Sequence, residues 1–466
     1  YLRTLAAQGR EVAVYADDGE KFGGWPGTKA WVFDEGWLEN FFSALERWNQ
    51  DFLTTSTFAE IMETAPPAGL VYLPTTSYPE MGEWSGGTWK NFFVKYPESN
   101  WMNKTVAWLG RELRRPKRRA TPEALGHLWS AQCNDAYWHG VFGGLYLPHL
   151  RREIWRHIAW LKNYLLADEN AQAAMLDVDH DGREEAMINT PSWSAVIRPS
   201  DGARLIEWTL FKEGFNLLDI LARRKEAYHQ EMLERLSAPV AANTPDKGVA
   251  SIHDQPRSLK GLTSRDFISD PGPRQAFVDH LMIPGVSLDD FVGARLAPFA
   301  YDLKSLKISK GVGLRVKAQS RALVDSKEIR FNLEKDFSPA NGRLTVYYSL
   351  EALSPIACSF GIEINLNPGY EMKAWVEGAS RRIPLDLCKP VEQARVRRIH
   401  IDSALLDHGL DIALTCDGTL WSFPIYTVSQ SEGGYDRVLQ GLAFLISWPL
   451  TLNPGGSWQT AVECSV

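Results

Sequence analysis

Cysteine is scarce in this sequence of 466 residues, which carries five cysteines at scattered positions. Because none of them forms a closely spaced pair, neither a disulfide framework nor a thiolate metal site is predicted. Long apolar runs are also lacking, since no stretch approaches the roughly 18 to 20 residues that a membrane-spanning helix requires, and no signal-peptide pattern opens the chain. The sequence therefore predicts a cytoplasmic protein with reduced thiols and no membrane contact.

An excess of positive charge is missing as well. The chain has 50 Lys and Arg residues against 57 Asp and Glu, a net charge of −7, which gives no overall attraction to nucleic acid. The basic run 111–119 is short and isolated, so a solvated loop is a better interpretation than a phosphate-binding patch. Nucleic acid is not an expected partner. Apolar residues make up 44%, and the length predicts two to four domains with ordinary cores.

The N-terminal part reads as alternating helix and strand. A helix over 2–9 leads into an apolar strand over 12–15, a helix follows over 35–49, and a second strand is predicted over 69–74. In α/β folds, catalytic groups collect where strands end. Because two strands cannot close a sheet, we expect the chain to begin inside an α/β fold whose earlier strands precede Tyr1.

The pattern over 89–170 is helical, most clearly after Pro148, which a first helical turn tolerates. One face of that helix collects apolar residues at steps of three and four: Leu150, Ile154, Ile158, Leu161 and Leu165.

Later in the chain, apolar and polar residues alternate strictly. The alternation runs over 329–333, 344–350 and 360–366, with the hairpin signal Asn341-Gly342 between the first two. These are half-buried antiparallel strands of a large β-sandwich, interrupted by a helix over 216–236. The predicted domains are accordingly 1–88, 89–170 and 171–466.

The segment YADDGEKFGGWP (15–26) places the carboxylates of Asp17, Asp18 and Glu20 on a predicted strand-end turn. Mutual repulsion is expected to raise the pKa of at least one of them toward the range of a general acid. From charge alone, a solvated acidic turn is the favoured alternative.

The segment AQCNDAYWHGVFGGLYLP (131–148) combines hydrogen-bonding groups and an aromatic face in Asp135, Trp138 and His139. Its glycines permit close backbone approach to a ligand, a mixture that suits a sugar. The alternative is a helix junction with Trp138 in the core and His139 bonded to the backbone.

Oxygen ligands at alternate positions followed by a glycine turn are typical of the start of a calcium loop. Asp177, Asp179 and Asp181 have this spacing, with Glu184 or Glu185 available to complete the site. Ile188 stands where an EF-hand has its glutamate, so a structural calcium in a β-turn is the prediction, and a plain acidic turn is the alternative.

Both signature segments, 15–26 and 131–148, resemble the fourth and fifth signature regions of glycoside hydrolase family 57, in that order. The stretches VYLPTTSYPEMGEW (71–84) and WKNFFVKYPESN (89–100) are similar to its 4-α-glucanotransferase and α-amylase branch. So are three further stretches, namely LARRKEAYH (221–229), GVASIH (248–253) and SQSEGGYD (429–436). The resemblance implies an α/β plus all-β fold: the C-terminal part of a (β/α)7 barrel, a helical region, and a large antiparallel β-sandwich similar to galactose mutarotase.

The resemblance also implies retaining chemistry on α-1,4-glucan or malto-oligosaccharide, with one nucleophile and one acid/base. Asp18 matches the acid/base aspartate. The residues that match substrate-binding positions are Glu20, Trp25, Asp135, Trp138 and His139. For both tryptophans, core packing is the alternative.

The family's nucleophilic glutamate belongs to a region before the acid motif and is expected upstream of Tyr1, so this chain alone is expected to lack covalent glycosylation chemistry. A non-catalytic carbohydrate-binding or structural remnant is the competing interpretation. No cofactor beyond the structural calcium is expected, and a homodimer is the expected assembly.

Overall fold

The computed structural model describes most of the chain. The described residues are 1–25, 27–49, 51–67, 69–72, 79–116, 120–140, 142–166, 171–237, 259, 261–296, 299–309, 312–324, 327–340, 342–378, 381–431 and 434–466. The chain forms two compact units. The first comprises residues 1–76, 238–259 and 432–434, and the second comprises 77–237, 260–431 and 435–466. The predicted three-domain division remains a prediction.

The described residues of the first unit form three α-helices: α1 (Leu2–Ala7), α2 (Trp37–Asn49) and α3 (Phe58–Thr64). A capping box begins α3, because the Thr57 hydroxyl accepts a hydrogen bond from the Glu60 amide and the Glu60 carboxylate accepts one from the Thr57 amide. A 3-10 turn over Gly19–Lys21 and a π-helical turn over Ala30–Asp34 complete the regular structure.

The strands predicted in this unit are not found. Residues 11–18 and 69–72 have no regular secondary structure, and 73–78 lie outside the described residues. A β-strand exists through hydrogen bonds to a neighbouring strand. The described residues of this unit supply no such neighbour, so the apolar side chains of Val14 and Tyr15 stay exposed.

The second unit begins with five helices. They are α4 (Pro79–Ser85), α5 (Asn91–Lys95), α6 (Pro97–Leu113), α7 (Pro122–Ser130) and α8 (Pro148–Leu166). Proline occupies the first turn of α6, α7 and α8, where its missing amide hydrogen needs no helical partner. The predicted helical region and the role of Pro148 are therefore confirmed. Among the described residues, no helix has both the length and the apolar character needed to cross a membrane.

The helix predicted over 216–236 is wrong in its first half. Residues 217–228 are irregular, and α9 spans His229–Ser237; a short α10 spans Leu288–Val292. Tertiary hydrogen bonds replace helical ones in this segment. The Leu217 amide donates to the Trp208 carbonyl, and the Ala222 amide donates to the Glu98 carboxylate. The apolar residues that suggested a helix are buried on all sides instead.

The rest of the second unit is an antiparallel sheet of seventeen strands. They are β1 (Gln172–Leu176), β2 (Glu185–Asn189), β3 (Trp193–Arg198), β4 (Arg204–Leu210), β5 (Phe215–Asn216), β6 (Ala276–Met282), β7 (Ala300–Ser309), β8 (Gly313–Val324), β9 (Lys327–Ala340), β10 (Arg343–Ala352), β11 (Ile356–Leu366), β12 (Lys373–Glu377), β13 (Arg382–Leu385), β14 (Val391–Ser403), β15 (Leu406–Ser431), β16 (Gly434–Leu452) and β17 (Ser457–Ser465). The three strands predicted from alternation lie within β9, β10 and β11.

The predicted hairpin joins β9 to β10, with Ala340 opposite Arg343. Gly342 has φ +68°, the left-handed region that this turn requires, while Asn341 lies outside the described residues. Strand β10 pairs with β9 and β17, and β11 pairs with β6 and β16. Alternate side chains of β10 enter a large core that also receives Trp193 and Trp208.

Candidate functional site

The acidic turn of the first unit is organised by Lys21. Its ammonium lies 2.7 Å from Asp17 Oδ1 and 3.3 Å from Asp18 Oδ2. Asp18 precedes the 3-10 turn Gly19–Lys21, and its side chain is 61% exposed. Asp18 therefore presents a carboxylate to solvent beside a cation.

The expected rise in carboxyl pKa is wrong for Asp17. The hydrogen bond from Lys21 and a second one from the Asp18 amide lower the pKa of Asp17 below its usual value. A cation between two carboxylates offsets their repulsion. Lys21 stands four positions after Asp17, a spacing that was visible in the sequence.

The same turn places Trp25. The Glu20 carbonyl accepts hydrogen bonds from the amides of Gly24 and Trp25, and the Lys21 ammonium lies 5.3 Å from the Trp25 ring centroid. Gly23 has φ +121°, and a Cβ atom there would meet the Phe33 ring at 2.9 Å, so the turn requires glycine. Asp18, Glu20 and Trp25 thus belong to one folded turn.

An aromatic cleft of about 830 Å³ opens at this turn. Asp17, Lys21 and Trp25 line it together with Trp31 and Trp37. The rings of Trp31 and Trp37 lie 5.0 Å apart. Flat aromatic surfaces beside charged hydrogen-bonding groups suit the faces and hydroxyls of a pyranose. Sequence reasoning missed Trp31 and Trp37; the high aromatic content of the chain was the available signal.

The second signature segment forms a tight loop in the second unit. A 3-10 turn spans Asn134–Tyr137, and the Trp138 indole donates a 2.8 Å hydrogen bond to Asn134 Oδ1. A Cβ atom on Gly140 would meet the Trp138 ring at 2.6 Å, and one on Gly144 would lie 2.2 Å from the Trp138 carbonyl oxygen. The glycines therefore let the chain fold back over Trp138, whose ring is partly exposed beside the exposed Asp135.

His139 is fully buried under this loop. Its Nδ1 lies 3.2 Å from the Gly143 carbonyl oxygen and its Nε2 lies 2.7 Å from the Tyr228 hydroxyl. Its ring stacks on Trp84 at 4.7 Å. Burial lowers the pKa of His139 to about 4, so the ring is neutral near neutral pH. This is the backbone-bonded arrangement that the sequence left open as an alternative to sugar contact.

Glu226 lies at the centre of the buried network beneath the loop. It accepts hydrogen bonds from Lys95 at 2.5 Å, Tyr96 at 2.8 Å and Tyr146 at 2.5 Å. Burial opposes ionisation of Glu226, but His139 and Lys95 outweigh it and lower its pKa. The sequence pattern of 221–229 did not identify Glu226 as important, because the side chains that bind its carboxylate lie more than 75 positions away.

A group of carboxylates occupies the turn before β2. Ligand atoms of Asp177, Asp179 and Glu185 all lie within 4.8 Å of one another. Arg198 lies 2.8 Å from Asp179 and 3.3 Å from Glu185. Burial and the charge of Asp179 raise the pKa of Glu185 to about 7.

Asp177 and Asp179 lie close together as expected, and Glu185, one of the two glutamates that the sequence offered, lies beside them. Asp181 stands outside the group, with its carboxylate accepting a hydrogen bond from the Arg183 amide, and Glu184 is exposed. Glu185 is the first residue of β2 and is fully buried, which orients it toward the turn.

Comparison with known proteins agrees with this architecture. The family model for the C-terminal domain of α-amylase/4-α-glucanotransferase matches residues 177–462, and the model for the middle domain of the same family matches 87–165. A 4-α-glucanotransferase of Thermococcus litoralis is 33% identical over 97% of this chain and 68% of its own length. An α-amylase of Pyrococcus furiosus is 31% identical over 96% of this chain and 67% of its own length.

The crystal structure of the 4-α-glucanotransferase from Thermococcus litoralis matches this chain with a TM-score of 0.73 and 30% sequence identity. The match covers 98% of this chain and 67% of that one, and it confirms the predicted fold class. The model for the C-terminal domain alone covers more than half of the chain, and the relatives align along nearly all of it. The chain therefore belongs to the α-amylase/4-α-glucanotransferase group of glycoside hydrolase family 57.

Proposed function

We propose that the chain belongs to a retaining enzyme acting on α-1,4-glucan, as a 4-α-glucanotransferase or an α-amylase, with Asp18 as its acid/base. The observation that carries this proposal is that the exposed Asp18 carboxylate belongs to the same turn as Lys21 and Trp25, which line the aromatic cleft. The names of the relatives, 4-α-glucanotransferase and α-amylase, support the substrate class.

Asp18 acts twice in this proposal. It first protonates the leaving glycosidic oxygen and then removes a proton from the acceptor. A sugar 4-hydroxyl as acceptor gives transfer, and water gives hydrolysis. The nucleophilic glutamate is expected upstream of residue 1. Glu20 and Trp25 bind the sugar at the same turn. Asp135 and Trp138 are proposed as sugar-binding residues of their own loop, which the buried His139 supports through the Gly143 carbonyl.

The test is disproportionation of maltoheptaose by a protein that carries the upstream segment. Asp18→Asn is expected to lower turnover by about 10² to 10⁴, the usual contribution of a general acid. Asp34→Asn, an equally conservative change at another exposed position of the first unit, is the matched control and leaves turnover unchanged. Full activity of Asp18→Asn would move the acid elsewhere.

The same assay on residues 1–466 alone tests whether this chain has activity without the upstream segment. Redistributed oligosaccharides from this chain would contradict the expectation of an upstream nucleophile. Binding of maltoheptaose without turnover is the result expected for both the glucan-binding part of the enzyme and a non-catalytic remnant, and activity of the longer protein distinguishes them.

We further propose that Asp177, Asp179 and Glu185 hold a structural calcium ion. Carboxylate oxygens are the ligands that calcium prefers. Asp177 Oδ1 is buried and has no hydrogen-bond partner among the described residues, and the Arg198 guanidinium pairs with Asp179 and Glu185 but not with Asp177. The donor set therefore fits a divalent cation, with Arg198 holding the carboxylates in place.

Two neighbouring glutamates test this ligand set. Calcium is expected to raise the thermal unfolding temperature of the wild-type chain, and Glu185→Gln is expected to abolish the rise. Glu184→Gln, the same change one position earlier, keeps it because Glu184 is exposed. If Glu184→Gln abolished the rise and Glu185→Gln kept it, Glu184 would be the ligand. Absence of any calcium effect on the wild-type chain would contradict the site.

Cytoplasmic location and a homodimeric assembly remain proposals. All five cysteines are unpaired, which is consistent with a reducing compartment.

A further inference from the structure

A cavity of about 110 Å³ lies within the second unit, where α6 and α8 meet the sheet. Its walls come from α6, α8, β3 and β4, from the turn before β2, and from the segments before β6 and after β5. Apart from Asp179, no residue predicted as a site residue lines it. On the scale where one water molecule takes roughly 10 to 15 Å³, this volume suits a single small molecule.

The two sides of the cavity differ in chemistry. Trp101, Trp155 and Ile206 form an apolar side, and all three are at least nine-tenths buried. Glu98, Arg198 and Gln275 are among the residues of the polar side. A ligand that fits both sides has an apolar face and a ring of hydroxyl groups.

Unused hydrogen-bonding capacity is concentrated at two neighbouring residues of the polar side. Gln275 is 7% exposed, and its Oε1 is buried without a partner among the described residues. Arg274 is 8% exposed; its terminal nitrogens bind Asp270 and Glu363, but its Nε has no partner within the described part of the chain. A buried polar atom without a hydrogen-bond partner destabilises the folded state, so a ligand that supplies the partner is favoured.

Two other polar residues of the lining are satisfied. Asn216 Oδ1 accepts hydrogen bonds from the amides of Trp208 and Leu218, and Asp219 accepts one from Arg151 at 2.8 Å. Gln275 Oε1 and Arg274 Nε therefore remain available for hydrogen bonds. A bound molecule with both donors and acceptors would pair with them.

The charged groups that line the cavity indicate whether its ligand is charged or neutral. The carboxylates of Glu98, Asp179 and Asp219 outnumber the guanidinium groups of Arg198 and Arg274, and each of the carboxylates already has an arginine partner. Because the carboxylates and guanidinium groups of the lining are already paired, an ion of either sign would have to displace an existing ion pair. A neutral polyhydroxylated ring does not meet this obstacle.

We propose that this cavity binds a glucose unit of a malto-oligosaccharide, with the ring against Trp101 and Trp155 and its hydroxyls bonded to Gln275 and Arg274. The choice of an α-glucan over another neutral sugar rests on the proposed function. The second unit would then bind sugar through residues that belong to neither signature segment.

The test is calorimetric titration of residues 1–466 with maltotriose. Gln275→Leu has nearly the same volume but no amide, and it is expected to weaken binding about tenfold or more. Gln459→Leu, the same change at an exposed position of β17, is the matched control and leaves binding unchanged. Equal affinity of Gln275→Leu and wild type, with both folded, would overturn the proposal, as would the absence of saturable binding.

Two further variants separate this site from the proposed active site. Asn100→Phe adds a ring at a partly exposed position of the cavity wall and is expected to reduce binding without touching the polar side. Trp138→Ala is expected to leave this binding intact. Loss of binding in Trp138→Ala alone would assign the sugar to the signature loop, whereas loss in Gln275→Leu with retained turnover of the longer enzyme would support the cavity independently of catalysis.

Discussion

The role of His139 depends on its surroundings rather than on its residue type. Placed in a loop with Asp135 and Trp138, it suggests a sugar ligand, but both of its ring nitrogens are engaged and its side chain is fully buried. Asp18 is the opposite case, because its carboxylate stays exposed on the turn. His139 and Asp18 were both candidate site residues in the sequence, and their different burial decides which of them a ligand can reach.

His139 is expected to make the folded state sensitive to acid. Its folded pKa of about 4 lies below the ordinary value of 6.5, so between these values the unfolded chain binds a proton that the folded chain does not. The stabilisation is fully present above pH 6.5 and is lost progressively as pH falls to 4, by up to about 3 kcal/mol.

Urea unfolding at a series of pH values measures this effect. His139→Gln is expected to be less stable at pH 7 but to show a flatter dependence between pH 6.5 and 4. His408→Gln, at an exposed histidine, keeps the wild-type slope. An unchanged slope in His139→Gln would mean that another group causes the acid sensitivity.

At the level of elements, the loop between α7 and α8 depends on the backbone of Gly144. This residue has φ +53°, and a Cβ atom would lie 2.2 Å from the Trp138 carbonyl oxygen. Both the conformation and the contact exclude a side chain. The loop that carries Asp135, Trp138 and His139 therefore has its shape fixed by a glycine.

Gly144→Ala is expected to lower the free energy of unfolding by at least about 2 kcal/mol, because the backbone must shift to relieve the contact. Gly126→Ala is the matched control: Gly126 lies within α7, and a Cβ atom there would have no neighbour within 4 Å, so alanine is expected to stabilise the helix by about 1 kcal/mol. Chemical denaturation of both variants measures the difference, and equal effects would show that the loop accommodates a side chain.

At the level of the whole second unit, the helices are joined to the sheet by buried charge. Lys162 of α8 pairs with Glu207 of β4, and both side chains are fully buried. Glu207 also accepts hydrogen bonds from the Trp101 indole at 2.9 Å and the Thr209 hydroxyl at 2.6 Å. Removing one charge leaves the other without its partner in a medium of low polarity.

Lys162→Met is expected to destabilise the protein by about 3 to 5 kcal/mol. Adding Glu207→Gln is expected to recover part of the loss, since no unpaired charge remains. Lys212→Met, which breaks the exposed pair with Asp407, is expected to give no measurable change. Denaturation followed by circular dichroism checks all three, and a small effect of Lys162→Met would mean that water reaches Glu207.

Local patterns in the sequence determined the parts of this protein that depend on near neighbours. Alternation of period two predicted β9, β10 and β11, the Asn341-Gly342 pair predicted their hairpin, and Pro148 marked the start of α8. The turn that carries Asp18 and Trp25 also lies within eleven residues, so the sequence alone identified it together with the family.

Only the tertiary structure decided the features whose partners lie far apart in the chain. Residues 217–228 leave the predicted helix because distant groups bind their amides. Glu226 has partners from α5, from the junction of α5 and α6, and from the loop before α8. Glu185 begins β2 and is buried close to Asp179, whereas Glu184 lies before the strand and is exposed. Hydrogen bonds and ion pairs between distant segments have no local periodicity, which is the physical reason that the sequence could not predict them.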